Sequence, residues 1–246
     1  MRRPGLPSRR RRTGGLSADE LTWAWQSASL LLGYPDEESL ARLPLVRRAA
    51  QALPAPVGER LLGTLEHLAG TPPAQLQAEY VETFDNRRRH NLFLTYFAHG
   101  DTRKRGLALL RFKQVYLAAG FAPAEDELPD HLCVVLEFAA TVDPDAGRGL
   151  VLDHRAGLEL LRVSLTETGS PWAGAVAAVT ATLPPLGDDE RGAIQRLAAE
   201  GPPAEEVGLT PYGTPGFDAG PAAGPSAGPG VAGPTPLPMP TFPGAR

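Results

Sequence analysis

Apolar residues recur at helical spacing along most of the chain, and the first such run shows the pattern clearly. Its apolar positions are Leu21, Ala24, Trp25, Ala28, Leu31 and Leu32. Steps of three and four residues place these side chains on one face of a helix. Ser17 and Glu20 have capping-box spacing at its start. Gly33, before Pro35, is expected to end the helix in the left-handed conformation.

Similar spacing predicts a succession of further helices. They cover residues 57–69, 71–84, 103–119, 130–142, 148–168, 171–183 and 188–200, with N-caps expected at Ser170 and Asp188 and a break at Pro144. A short helix capped by Asp36 comes before them, with a break or kink expected at Pro44. Only Leu92–Phe97 resembles a strand, and no partner segment or hairpin turn accompanies it. Short connections between amphipathic helices therefore predict an all-α fold, a single multi-helix bundle.

The two ends of the chain differ in composition from this helical part. Six arginines lie within residues 1–12, and residues 201–246 contain 10 glycines and 12 prolines. The C-terminal segment has too few bulky apolar residues to offset its chain entropy by burial. We therefore expect a disordered basic tail at 1–15, a helical domain at 16–200 and a disordered Gly/Pro-rich tail at 201–246.

Charge and cysteine content narrow the function classes. The formal net charge of -4 gives no general argument for nucleic-acid binding. Cys133 is the single cysteine, which fits a reducing cytoplasm. No apolar run reaches the length of about 18 residues that a membrane span needs, so an integral membrane protein is not expected. The pair Arg9-Arg10 lacks the apolar region that an export signal requires, which favours a cytoplasmic protein.

Catalytic and metal-binding patterns are missing from the sequence. Neither a phosphate-binding loop nor a dinucleotide-binding glycine motif occurs. Residues 224–228 match G-x-S-x-G, but they lie in Gly-Pro sequence without the strand and helix that a nucleophile elbow needs. The histidines do not have zinc-ligand spacing. The sequence therefore predicts a protein that is not an enzyme and binds no metal.

Residues 79–138 combine aromatic and charged side chains too closely for simple core packing. Basic clusters at 87–89 and 103–105 flank the apolar run Leu92–Phe97. Farther along, Asp130 after Pro129 is expected to cap a helix. Glu137, two helical turns beyond Asp130, is then expected on nearly the same side. These residues predict either a polar rim that binds a partner or simply a capped helix.

Several segments in this part of the chain resemble one known family. They are LLGYPDEESL (31–40), YVETFD (80–85), HGDTRKRG (99–106), QVYLAAGF (114–121) and ELPDHLCVVLEF (127–138). Together they resemble the NarJ family, the delta-subunit chaperones of respiratory nitrate reductase, and the similarity extends over about residues 21–200. Within these segments Gly100, Asp101 and Gly106 also match. Cys133 and the Gly/Pro-rich tail depart from the pattern.

The resemblance implies a cytoplasmic, all-helical, non-catalytic chaperone. Such a protein binds the apo catalytic (alpha) subunit of nitrate reductase, including its N-terminal segment, and keeps it competent for molybdenum cofactor insertion. It binds no cofactor stably itself and does not bind nucleic acid. The client-binding residues that the resemblance implies are Tyr80, Phe84, Asp85, His99, Arg103, Glu127, Pro129, Asp130, His131 and Glu137. From the residue types themselves we also expect Leu92, Phe93, Tyr96 and Phe97 to line a groove for an amphipathic helix of the client.

Two alternative functions remain open from the sequence. One is a chaperone for a different molybdoenzyme, of the dimethyl-sulfoxide or trimethylamine-oxide reductase type. The other is a nucleic-acid-binding helical regulator that uses the basic clusters at 87–89 and 103–105.

Overall fold

The computed structural model describes residues 15–124 and 127–201, and within these ranges the all-α prediction is confirmed. The helices there are α1 Ala18–Leu32, α2 Glu37–Ala41, α3 Leu43–Ala52, α4 Ala55–Gly70, α5 Pro73–Phe84, α6 Tyr96–His99, α7 Arg103–Ala118, α8 Leu132–Thr141, α9 Pro144–Asp153, α10 Arg155–Glu167, α11 Ala173–Ala181 and α12 Asp188–Glu200. A 3-10 turn at Arg88–His90 precedes α6. The predicted tails fall outside the described residues, apart from Gly15 and Gly201.

Helix α1 lies at the centre of the bundle and packs against α3, α4, α8 and α11. Its apolar face is almost completely buried, as the periodicity predicts. Two polar groups of α1 are satisfied across the core. The Trp25 indole Nε1 donates to Thr182 Oγ1 at 2.8 Å, and Ser29 Oγ donates to the Cys133 carbonyl at 2.9 Å. These contacts fix α1 against the segments that begin α8 and end α11.

The predicted start of α1 is confirmed, and its predicted end is wrong in detail. Ser17 N donates to Glu20 Oε2 at 2.6 Å, while Glu20 N donates to Ser17 Oγ at 3.2 Å. Gly33, however, has φ -70° and ψ 162°, which is extended rather than left-handed backbone. The extended conformation carries the chain directly into the Asp36 cap of α2, where Ser39 N donates to Asp36 Oδ1 at 2.7 Å.

Four predicted features of the helix boundaries need correction. The helix predicted over 148–168 is two helices, α9 and α10, which meet at His154. Pro144 lies in the first turn of α9 instead of breaking a helix, because a first-turn residue needs no intrahelical N–H partner. Gly187 is the N-cap of α12 where Asp188 was predicted. Likewise α11 begins after Trp172, two residues beyond the predicted Ser170 cap.

The prediction that Leu92–Phe97 is not a strand is confirmed in the described part of the chain, where a single residue of this run forms a bridge. Phe93 forms an isolated antiparallel bridge with His131. Leu94 N donates to the Asp130 carbonyl at 3.0 Å, and Leu132 N donates to the Leu92 carbonyl at 2.9 Å. The bridge brings residues 92–94 against the entry to α8.

None of the helices in the described part of the chain is both long enough and apolar enough to cross a membrane.

Candidate functional site

Three segments meet at the entry to α8 and form the candidate site. They are residues 91–95, the first turn of α7, and residues 127–131 before α8. Tyr116, on the inner face of α7, adds a further tie, since its hydroxyl donates to the Pro129 carbonyl at 2.6 Å. Burial raises the pKa of this phenol, so it stays a donor at physiological pH.

Asp130 is the central charged group of this junction. Its side chain is 0% exposed, and its Oδ2 accepts from Thr95 Oγ1 at 2.5 Å and from Thr95 N at 3.2 Å. The guanidinium Nη2 of Arg105 lies 3.6 Å from the same oxygen, while Arg105 Nε donates to Thr95 Oγ1 at 3.2 Å. A buried carboxylate needs such partners, because burial without them costs several kcal/mol. Asp130 therefore ties all three segments together.

This geometry corrects the helix-cap prediction for Asp130. Helix α8 begins at Leu132 with His131 at the N-cap position, and neither residue's amide is capped by the Asp130 carboxylate. Asp130 instead turns into the protein, where Thr95 donates two hydrogen bonds to its Oδ2 and Arg105 lies close to the same oxygen. Glu137 is exposed, so it does not share a surface with Asp130.

Phe93 and His131 form the half-buried part of the site that a partner can reach. Their rings meet edge to face with centroids 5.2 Å apart, and the Arg105 guanidinium carbon lies 5.2 Å from the Phe93 centroid. Burial lowers the pKa of His131, although the nearby Asp130 opposes the shift. His131 is therefore neutral at physiological pH and acts as an aromatic, hydrogen-bonding surface.

Two polar atoms at this junction retain unused hydrogen-bonding capacity. Among the described residues, neither Asp130 Oδ1 nor Arg105 Nη2 has a hydrogen-bond partner, and both atoms are buried. Unsatisfied buried polar atoms are uncommon in native proteins, and they concentrate where a site has a further role. The half-buried Phe93 and His131, packed beside this buried network, make the junction the candidate site.

The predicted client-binding residues fall into three groups in the structure. Exposed residues are Asp85, Arg103, Glu127 and Glu137. Half-buried residues are Phe93, His99 and His131. Buried residues are Tyr80, Phe84, Leu92, Tyr96, Pro129 and Asp130. The junction contains Leu92, Phe93, Arg103, Glu127, Pro129, Asp130 and His131, whereas Tyr96, His99, Glu137 and the α5 residues lie outside its three segments.

Tyr80 and Phe84 belong to an aromatic cluster in the core. The Tyr80 ring packs on Phe84 at 4.7 Å and on Trp172 at 5.8 Å. Its hydroxyl donates to the Leu32 carbonyl at 3.0 Å, and burial raises the pKa of this phenol. These two side chains therefore stabilise the packing of α5, and Asp85 at the end of that helix is exposed.

Four residues at or beside the junction were not predicted from the sequence. They are Thr95, Arg105, Tyr116 and His154. His154 packs on Phe112 with centroids 5.2 Å apart, and burial lowers the pKa of His154. Arg105 was visible only as one member of a basic cluster. Nothing in the local sequence distinguishes it from Lys104.

The described residues at the junction support neither a metal site nor a reactive thiol. In the described ranges, no group of three or more His, Cys, Asp or Glu side chains is placed to hold a metal ion. Cys133 packs against the core, and burial raises the pKa of its thiol, with Glu127 and Glu137 adding to the shift. A protonated, partly buried thiol is a poor nucleophile.

Comparison with known proteins gives a consistent family. Residues 50–178 match the model described as the nitrate reductase delta subunit. The nitrate reductase-like protein NarX of Mycobacterium tuberculosis is 41% identical over 172 residues, which is 70% of this chain and 26% of NarX. The chain thus spans about a quarter of that relative.

Two further relatives are similar over most of their own length. The probable nitrate reductase molybdenum cofactor assembly chaperone NarJ of Bacillus subtilis is 36% identical over 174 residues, covering 70% of this chain and 95% of the relative. The nitrate reductase molybdenum cofactor assembly chaperone NarJ of Escherichia coli K12 is 31% identical over 148 residues, covering 59% of this chain and 63% of the relative.

Proposed function

This chain belongs to the nitrate reductase delta subunit family, and from that membership we propose that it is a non-catalytic assembly chaperone for respiratory nitrate reductase. The observation that carries the proposal is its similarity to B. subtilis NarJ across 95% of that protein. The Thr95 hydroxyl that donates to the Asp130 carboxylate is completely buried, so this pair supports a structural rather than a catalytic role for the junction.

The proposed client is the apo alpha subunit of nitrate reductase, bound in part through its N-terminal segment. The chaperone acts in the cytoplasm and keeps this subunit competent to receive the molybdenum cofactor, which it does not itself hold stably. The names of the B. subtilis and E. coli relatives support cofactor insertion as the step that is assisted.

The client-binding surface proposed here centres on Phe93 and His131. Phe93 offers an apolar ring, and the neutral His131 offers hydrogen bonds. Glu127, before α8, and Glu137, on α8, are both exposed. In this proposal their carboxylates meet basic residues of the client. Asp130 is buried and does not contact the client in this proposal. Its role is to hold Phe93 and His131 in place.

The two alternative functions have less support. The relatives' names specify nitrate reductase, which favours that client over a dimethyl-sulfoxide or trimethylamine-oxide reductase. A nucleic-acid regulator would need both basic clusters for phosphate contacts. Arg105, from the second cluster, is instead directed toward the buried Asp130.

The proposal is tested by expressing the alpha subunit with and without this chain and measuring bound molybdenum. We expect co-purification of the two proteins and a lower molybdenum content in alpha subunit made without the chain. Equal molybdenum loading in both preparations, or failure of the two proteins to associate, would contradict the proposal.

The surface is tested separately by the variants Phe93→Ala and Glu127→Gln/Glu137→Gln. Each should weaken capture of the alpha subunit by about tenfold, as loss of a central interface residue does. Glu59→Gln, an exposed carboxylate on α4, is the matched control and should capture normally. Normal capture by all three variants would place the client surface elsewhere.

A further inference from the structure

Helix α7 carries an unusual set of side chains. Its sequence, RKRGLALLRFKQVYLA, contains five cationic residues and no carboxylate. Three cations lie in its first turn, where the helix dipole is already positive. No side-chain cap bond offsets this at Thr102. Arg105 is paired with Asp101 and with the buried Asp130, so the outward positive charge of α7 comes from its other, exposed cations.

The outer side of α7 also exposes a stripe of leucines. Leu107, Leu110 and Leu117 are 72%, 52% and 78% exposed. At 3.6 residues per turn they fall within about 80° of the helix circumference. The inner side is occupied by Phe112 and Tyr116, which are buried. The exposed Arg103 and Gln114 lie within the same arc, so the outer side of α7 is amphipathic, and only the inner side is used by the core.

Cations flank the leucine stripe on both edges. Lys104 and Arg111 lie on one edge and Lys113 on the other, and all three are exposed. Arg111 contacts Asp153 at 2.7 Å. Within the described part of the chain, Lys104 and Lys113 form no ion pair. We call the three leucines with these three cations the α7 leucine face.

The positive charge of the α7 leucine face favours some binding partners over others. A second copy docked face to face would bring the same cations together, and such like-charge contacts are unfavourable. Only three leucine side chains, with about twelve carbons together, would insert into a membrane surface. A single myristoyl chain has more carbons and by itself gives only marginal membrane binding. A protein interface needs only a few apolar anchors inside a charged rim.

We infer that the α7 leucine face binds an amphipathic helix of the client whose apolar side is flanked by carboxylates. This inference rests on the proposed chaperone function and adds the chemistry of a client segment. Leucines supply the central anchors, while Lys104, Arg111 and Lys113 select an acidic partner. The face is separate from the Phe93–His131 surface, which has its own carboxylates for basic client groups.

The test measures binding of the full-length chain to overlapping 20-residue peptides that cover the alpha subunit, at low salt. We expect binding of a peptide with net negative charge and apolar residues at helical spacing. Leu107→Ser/Leu117→Ser and Lys104→Glu/Lys113→Glu should each weaken it by about tenfold. Added salt should weaken it as well. Leu45→Ser on α3 and Arg196→Glu on α12, also exposed, are the matched controls and should bind normally.

Three outcomes would overturn the inference. They are no binding of any acidic peptide, binding unaffected by the α7 substitutions, and binding only to phosphatidylglycerol vesicles, which would assign the face to a membrane surface.

Capture of the whole alpha subunit distinguishes failure of this inference from failure of the proposed chaperone function. If wild type captures it and the α7 variants capture it equally well, the inference fails and the chaperone function stands. If wild type captures none, the chaperone function fails.

Discussion

Thr95 donates its hydroxyl hydrogen bond to Asp130 at 2.5 Å, and both side chains are completely buried. The two residues are 35 positions apart in the sequence. Their bond joins the extended segment before α6 to the entry of α8. Because Arg105 also contacts both of them, one small network holds Phe93 and His131 at the surface.

Replacing Thr95 with valine should destabilise the protein while leaving its shape nearly unchanged. Valine keeps the volume of threonine but leaves the buried Asp130 carboxylate without its shortest bond. The loss should be about 1–3 kcal/mol in the free energy of unfolding, measured by urea denaturation. Thr141→Val is the control, because the Thr141 hydroxyl donates to the Glu137 carbonyl at an exposed position. Equal stability of the two variants would argue against a structural role for the Thr95–Asp130 bond.

Removing the Arg105 side chain should cost more than removing an exposed cation. Arg105→Ala leaves the buried Asp130 without its counter-ion and Phe93 without its stacked guanidinium. We expect a loss of about 3 kcal/mol, as for other broken buried pairs. Lys104→Ala, one residue earlier and exposed, should change the free energy of unfolding little. Arg105→Lys should restore part of the stability, since it keeps the charge without the planar fork. A neutral effect of Arg105→Ala would contradict the network.

Gly157 is required where α10 passes α6. A Cβ at this position would lie 2.8 Å from the Phe97 Cβ and from its ring. Gly157→Ala should therefore destabilise by about 1–3 kcal/mol through overpacking. At Gly149 an added Cβ meets nothing within 4 Å. Gly149→Ala should be neutral or stabilising by up to about 1 kcal/mol, because alanine favours the helix. The melting temperatures of both variants, measured by thermal unfolding, test this prediction. Equal melting temperatures would contradict the close approach of Gly157 to Phe97.

Stability should decrease as the pH falls below neutral, in part because of His131. Burial holds the pKa of His131 below its ordinary value of 6.5. As the pH falls through about 6.5, the unfolded chain binds a proton that the folded protein does not, so the free energy of unfolding declines until the pH reaches the lowered value. His131→Asn removes this group, keeps a good N-cap residue, and should reduce the decline between pH 7 and pH 5.

The measurement for His131 is urea denaturation at a series of pH values. His90 and His154 have pKa values lowered by burial as well, so some decline should remain in the variant. At pH 8 these histidines are neutral in the folded and the unfolded state. A difference in the free energy of unfolding between wild type and His131→Asn at that pH therefore comes from packing alone. An unchanged pH dependence in His131→Asn would show that its imidazole is not buried in solution.

Much of the candidate site was recognisable in the sequence, although the roles within it were not. The segment 127–138 and the aromatic run 92–97 were both identified, and the structure places them in contact. Asp130 after a proline has the local pattern of a helix cap, whereas the structure directs it to Thr95 and Arg105. Tyr80 and Phe84 were grouped with the site, yet they pack on Trp172 in the core. Their client-binding role stays a prediction.

The sequence by itself determined the helices, because caps and apolar periodicity act over one or two turns. The Ser17–Glu20 capping box and the buried face of α1 follow from residues within that range. Only the tertiary structure decided that Phe93 pairs with His131, that Asp130 is buried, and that the α7 leucines remain exposed. Each of these depends on which segments meet across tens of residues, and that choice is made by packing and by satisfying buried polar groups. A local pattern contains no information about either.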